Sequence, residues 1–158
     1  MVKVLFVCLG NICRSPTAHA VFEYKLVQKN LQNVIEVDSA GTAAYHANNP
    51  PDQRSQREAE KRGYTLSHLK ARQVTVDDYS YFDYILAMDY ANLSQLQQDC
   101  PQEHLHKLTL FLKHRRGAEM EVPDPYYGGE DGFQDVLDLV EQASEGLMEE
   151  MLEQGLLS

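Results

Sequence analysis

Cys8 and Arg14 stand six residues apart in the run Cys8-Leu9-Gly10-Asn11-Ile12-Cys13-Arg14-Ser15, and Pro16 follows. A thiol, a guanidinium and a hydroxyl in one short loop ahead of a helix suit covalent phosphoryl transfer. Successive backbone N–H groups at a helix N-terminus can curl into an anion nest, and Gly10 and Asn11 tolerate the positive φ that such a nest needs. A cysteine placed there beside an arginine ionises readily, and the thiolate is the nucleophile. Arg14 can present a planar fork to two phosphate oxygens. Ser15 can donate to the thiolate, cap the helix, or do both.

A departing aryloxide or alkoxide needs a proton, which a thiolate cannot supply. The segment Val122-Pro123-Asp124-Pro125-Tyr126-Tyr127-Gly128-Gly129 offers Asp124. Pro125 keeps Asp124 out of the helical region, so its carboxyl can project from a held loop, with tyrosines beside it as an aromatic wall.

These groups need a scaffold, and the chain alternates strand and helix signals. Val2 to Val7 reads as a buried strand of a parallel sheet ending at the loop. Ser15-Pro16 then opens a helix running to about Asn30. Val34 to Asp38 reads as strand two, and Pro51 starts a second helix that Gly63 ends. Asp83 to Asp89 reads as strand three, Tyr90 to Asp99 as a helix stopped before Pro101, and His106 to Leu112 as strand four. From Asp131 to about Gln154, Phe133, Val136, Leu137, Val140, Ala143, Leu147 and Met151 recur at helical spacing. The pattern predicts an α/β three-layer sandwich in which helices flank a parallel sheet and ligands bind beyond the strands' C-terminal ends.

The 158 residues, 43% apolar, suit one domain over residues 1–158. No apolar run approaches the roughly 18 to 20 residues of a membrane helix, the run from Val4 to Leu9 is too short for a signal peptide, and three cysteines make no disulfide scaffold. A cytoplasmic protein without membrane insertion is expected. All 14 Lys and Arg lie in residues 1–116, while residues 117–158 carry acids alone, within a net charge of -10. That distribution excludes a basic nucleic-acid surface and predicts a solvated acidic helix at the C-terminus. His104, His106 and His114 lack the spacing of a known metal site, so neither metal nor cofactor is expected.

Together these residues resemble the low-molecular-weight protein tyrosine phosphatase family. The resemblance spans nearly the whole chain: Val7 to Pro16, Ser39-Ala40-Gly41-Thr42, Pro51-Asp52-Gln53-Arg54, His68 with Arg72, Ile85 to Asp89, and Asp124-Pro125-Tyr126. It implies a four-stranded parallel sheet flanked by helices, with the phosphate-binding loop after strand one and phosphotyrosine proteins as substrates. It implies Cys8 as nucleophile, Arg14 as phosphate clamp and Asp124 as acid and then base. Leu9, Gly10, Asn11, Ile12, Cys13 and Ser15 would form the loop, with Asn11 held by Ser39 and His68. Leu9, Tyr45, Tyr126 and Tyr127 would line the substrate cleft, although many members carry Trp at the position of Tyr45.

Three rival chemistries share such a loop. Arsenate reductases need further resolving cysteines, and Asp77 to Asp89 has none, leaving Cys100. Arginine phosphatases tend to carry Thr in place of Ile12. A phosphocarrier would need neither Arg14 nor Asp124. The closeness of Cys13 to Cys8 also suggests a reversible disulfide under peroxide. A monomer is the simplest expectation.

Overall fold

A computed structural model describes residues 1–127 and 130–156. Four strands, β1 (Val2–Cys8), β2 (Ile35–Gly41), β3 (Tyr84–Ala87) and β4 (Leu108–Leu110), form one parallel sheet in the order β2-β1-β3-β4. Between them run α1 (Arg14–Gln28), α2 (Gln53–Glu60), α3 (Val76–Tyr81) and α4 (Tyr90–Asp99), and α5 (Glu130–Glu153) closes the chain.

The central strand explains the layers. Val4, Phe6 and Cys8 of β1 point to one face, where they join residues of α1 and α5 such as Phe22, Val140 and Leu147. Leu5 and Val7 point to the other face and pack with Tyr79 of α3 and Leu96 of α4. Because both faces are covered, β1 reads as a continuous apolar run and not as an alternation. Phe6 makes edge contacts with Phe22 at 5.6 Å and with Phe111 at 4.9 Å between centroids. Aromatic pairs in this geometry add to simple area burial.

The acidic helix α5 behaves as its periodicity predicts, with Phe133, Val136, Leu137, Val140, Ala143, Leu147 and Met151 buried. Its polar face is less solvated than charge alone suggests. Arg62 lies 2.7 Å from Glu141 and 2.9 Å from Asp138, and Lys25 lies 2.8 Å from Glu145. The cations of the first two thirds thus meet the acids of the last third.

Three expectations need adjustment. α1 begins at Arg14, one residue before Ser15, and Cys13 holds the cap position without a side-chain cap bond. Pro16 is still tolerated because first-turn N–H groups have no partner inside the helix. Strand four shrinks to three residues because 3-10 turns at Gln102–Lys107 and Phe111–His114 flank it. The six-residue α3 was not foreseen, although Thr75 and Asp78 form a capping box at its start. No helix among the described residues is long and apolar enough to cross a membrane.

Candidate active site

Cys8 ends β1, and the loop from Leu9 to Cys13 connects it to α1. The loop's carbonyls are held from outside. Cys8 O accepts from Thr42 N at 2.9 Å, Leu9 O from Ala43 N at 3.0 Å, Ile12 O from Asp52 N at 2.8 Å and Cys13 O from Thr17 N at 3.2 Å. None of the N–H groups from Leu9 to Ser15 donates in a backbone hydrogen bond among the described residues. With these carbonyls bonded outward and the amides without backbone acceptors, the loop has the form of an anion nest at the start of α1.

The unusual path of this loop has two supports. Asn11 sits at φ 58, a region that asparagine tolerates better than most residues. Its side chain accepts from Arg72 N at 3.0 Å and donates to Ser15 Oγ at 2.7 Å. Gly41 is the second support: a Cβ there would fall 2.6 Å from the Leu9 carbonyl oxygen and 3.2 Å from Asn11 N, so β2 can pass the loop only as glycine.

Ser15 Oγ lies 3.0 Å from Cys8 Sγ. Since Asn11 occupies one of its lone pairs as donor, the hydroxyl proton is free to point at the sulfur; the alternative acceptor, Ala40 O, is farther at 3.4 Å. Arg14 is 3% exposed. Its Nη1 donates to Asp89 Oδ2 at 2.6 Å and to Val122 O at 3.0 Å, and its Nη2 lies 3.6 Å from Asp124 Oδ2. Burial acts to lower the Arg14 guanidinium pKa, but Cys8, Asp89 and Asp124 outweigh it and hold the group above its ordinary value. Asp89 does two jobs, because its Oδ1 also accepts from Asn92 N at 2.7 Å as the cap of α4. The rigid start of a helix therefore aims the guanidinium.

Leu9, Gly10, Ile12, Cys13, Arg14 and Cys8 share one cleft with Tyr45, Asp124 and Tyr126. Leu9, Tyr45 and Tyr126 are exposed at its rim, Tyr45 most of all at 76%. Asp124 Oδ1 accepts from Tyr126 N at 3.0 Å, which leaves Oδ2 facing Arg14. The side chain of Tyr127 lies outside the described residues.

His46 also lines this cleft, and sequence reasoning gave it no role. Its ring stands 6.2 Å from that of Tyr126, and a Cβ on residue 10 would meet its Cδ2 at 3.0 Å. Nothing in the sequence next to His46 signals that contact, which arises only when the Ala43–Asn49 segment folds over the loop.

The proposed props of Asn11 need correction. His68 is exposed and faces Glu23. Ser39 Oγ pairs with His19 Nδ1 at 3.0 Å, and His19 Nε2 lies 2.5 Å from Glu23 Oε1. Ser39 follows the same strand alternation as Ile35 and Val37 and so turns towards α1. The backbone N–H of Arg72 takes the place at Asn11, while its guanidinium binds Asp38 at 3.0 Å and Asp78 at 2.9 Å.

Cys13 differs chemically from Cys8. Burial pushes its thiol up to about 12, and the nearby charges of Asp52, Cys8 and Asp124 add to the rise against a smaller opposing effect of Ser55.

Comparison with known proteins agrees with this geometry. Residues 3–156 match the family described as low molecular weight phosphotyrosine protein phosphatase. A protein of that name from Gallus gallus is 45% identical over 136 residues, covering 85% of each chain. A protein tyrosine phosphatase crystal structure from Entamoeba histolytica superposes with a TM-score of 0.93 at 42% identity, covering 98% of this chain and 99% of that one. A Drosophila arginine phosphatase shares the fold at a TM-score of 0.87 and 31% identity, covering 94% and 97%.

Proposed function

We propose, on the premise that this chain belongs to the low molecular weight phosphotyrosine protein phosphatase family, that it hydrolyses phosphotyrosine in proteins through a phospho-cysteine on Cys8. The observation that carries the proposal is the Ser15 hydroxyl 3.0 Å from Cys8 Sγ, in a cleft that Arg14 also lines, beside a loop whose amides have no backbone acceptor.

In the first step the thiolate of Cys8 attacks phosphorus, forming the S–P bond as the P–O bond to tyrosine breaks. Asp124 gives its proton to the leaving oxygen. The equatorial oxygens gather charge in that transition state, and preorganised amides and Arg14 meet it without reorganising. In the second step water attacks the phospho-cysteine, the S–P bond breaks and Asp124 takes the water's proton. No step calls on a metal or cofactor.

The cleft favours an aryl phosphate because Leu9, Tyr45 and Tyr126 stand at its rim with the sulfur at its floor. A phenyl ring spans that depth against apolar walls, whereas phosphoserine would forfeit the contact. Turnover of matched phosphotyrosine, phosphoserine and phosphoarginine peptides tests this reading, with arsenate reduction as a control. Phosphotyrosine should be the fastest by at least about tenfold, the discrimination that lost contacts in an apolar pocket typically give. Faster release from phosphoarginine, or arsenate reduction, would overturn it.

The protein is further read as a single cytoplasmic domain acting as a monomer, without a nucleic-acid partner or membrane insertion. Its redox chemistry follows from the two loop thiols. Peroxide converts the Cys8 thiolate to a sulfenic acid, and the Cys13 thiol condenses with it, releasing water and forming a disulfide. Because Cys13 is pushed up to about 12, its thiolate fraction and hence the condensation should grow with pH through the neutral and mildly alkaline range. Intact mass after mild peroxide should fall by two hydrogens; direct passage to sulfinic acid would refute the disulfide.

A further inference from the structure

Asp124 and Cys8 lie on separate loops 116 residues apart in the chain, so their alignment needs a physical link. Arg54 supplies one. It stands near the start of α2, whose cap Asp52 accepts from Arg54 N at 2.8 Å. The guanidinium turns back onto the same carboxylate, with Nε 3.2 Å from Oδ1 and Nη2 3.1 Å from Oδ2. Burial would raise the Asp52 carboxyl, but these Arg54 contacts outweigh it and hold the group below its ordinary range. The pair is therefore fully ionised at neutral pH.

Each end of this pair reaches one half of the site. On one side, Asp52 N donates to Ile12 O at 2.8 Å and so grips the Cys8 loop. On the other, Arg54 Nη2 donates to Tyr126 O at 2.9 Å, and the guanidinium lies over the rings of Tyr126 at 5.4 Å and Phe133 at 5.0 Å. Tyr126 is also the residue whose N–H holds Asp124 Oδ1 at 3.0 Å. One residue thus takes the brace through its carbonyl and orients the acid through its amide.

We infer that Arg54 is a positioning residue that fixes Asp124 over Cys8 by tying the Tyr126 backbone to the Asp52–Ile12 anchor. Only arginine meets the demand, since a planar fork must serve a carboxylate, a carbonyl and two ring faces together, and an ammonium cannot. The inference rests on the assignment of Asp124 as general acid. It adds that the acid's geometry is set from α2, outside its own loop. Arg54 touches neither substrate nor phosphorus in this account.

The test is kcat/KM for a series of aryl phosphates with leaving groups from dinitrophenol to phenol, measured for wild type, Arg54→Met, Asp124→Ala and the double variant, because kcat/KM reports the step that expels the aryl oxygen. General-acid help is worth about 10² to 10⁴-fold, and a misplaced acid forfeits part of it. Arg54→Met should lower kcat/KM about tenfold for phenyl phosphate and leave dinitrophenyl phosphate within about twofold, since a good leaving group needs little proton help. In the Asp124→Ala background, Arg54→Met should have no further effect. Asp52→Asn, which keeps the helix cap but weakens the ion pair, should shift the leaving-group dependence in the same direction.

A uniform loss across leaving groups, no loss at all, or an additive loss in the double variant would overturn the inference, since a merely structural arginine acts on every substrate and every background. A different failure is distinguishable: if Asp124→Ala itself shows no added leaving-group dependence, the acid assignment falls first.

Discussion

Replacing Cys8 with serine leaves a folded protein whose turnover of phosphotyrosine falls by at least about 10⁴-fold, the scale on which loss of a covalent nucleophile is felt. The fold is expected to survive because the substitution removes no volume from the apolar core beyond a sulfur-to-oxygen change at the strand end. Cys8 is 3% exposed and its side chain already neighbours a hydroxyl, Ser15 Oγ at 3.0 Å. Activity fails because an alkoxide is far less accessible at neutral pH than a thiolate. The nest and Arg14 remain, so the variant should still bind inorganic phosphate. Thermal melting, phosphate titration and turnover on one preparation separate these effects. Turnover within tenfold of wild type would remove the nucleophile from the account.

Arg14→Lys is the second large effect, and its cause is geometric. Arg14 spends Nη1 on Asp89 and Val122 O, and so holds its remaining edge towards the site. A lysine ammonium keeps the charge but cannot serve Asp89 and two phosphate oxygens in one plane. The expected loss in kcat/KM is about 10² to 10³-fold, similar to removing a preorganised donor from an oxyanion site. A half-buried Asp89 left with a poorer partner also costs about 1 kcal/mol of stability, which a denaturant titration would detect. Retention of a tenth or more of wild-type kcat/KM would show that charge alone suffices and that the fork is dispensable.

What the sequence made legible depends on how local each interaction is. Cys8, Arg14 and Ser15 lie within one run of eight residues that ends a strand and opens a helix, and the strand, Gly10-Asn11 and Pro16 around them announce a nest without any knowledge of the rest of the fold. The acidic C-terminal helix was equally plain, because its seven buried apolar positions carry their own period. Asp89, His46 and Arg54 were not assigned roles, since each acts by meeting a group brought near only by folding. Asp89 shows the pattern: a helix-cap aspartate is visible in sequence, but its second oxygen binding Arg14 is not.

The prop on Asn11 was misplaced for a related reason. A resemblance carries residue types, whereas the hydrogen bond is made by the backbone of Arg72, which has no signature in the sequence. Of the two roles open to Ser15, thiolate partner and helix cap, its hydroxyl serves the first, lying against Cys8 and Asn11 while Cys13 holds the cap position. In the edge strand, Phe111 and Leu112 look like strand residues by composition, but they are buried through a 3-10 turn. Burial was read correctly there, and backbone geometry was not.

The most direct measurement is to quench the enzyme with acid during turnover of a labelled phosphotyrosine peptide and locate the trapped phosphoryl group by peptide mapping. Label on the sulfur of Cys8, lost in Cys8→Ser, is the expected result. Label on any other side chain, or steady turnover with no covalent label under conditions that preserve thiophosphate, would contradict the account.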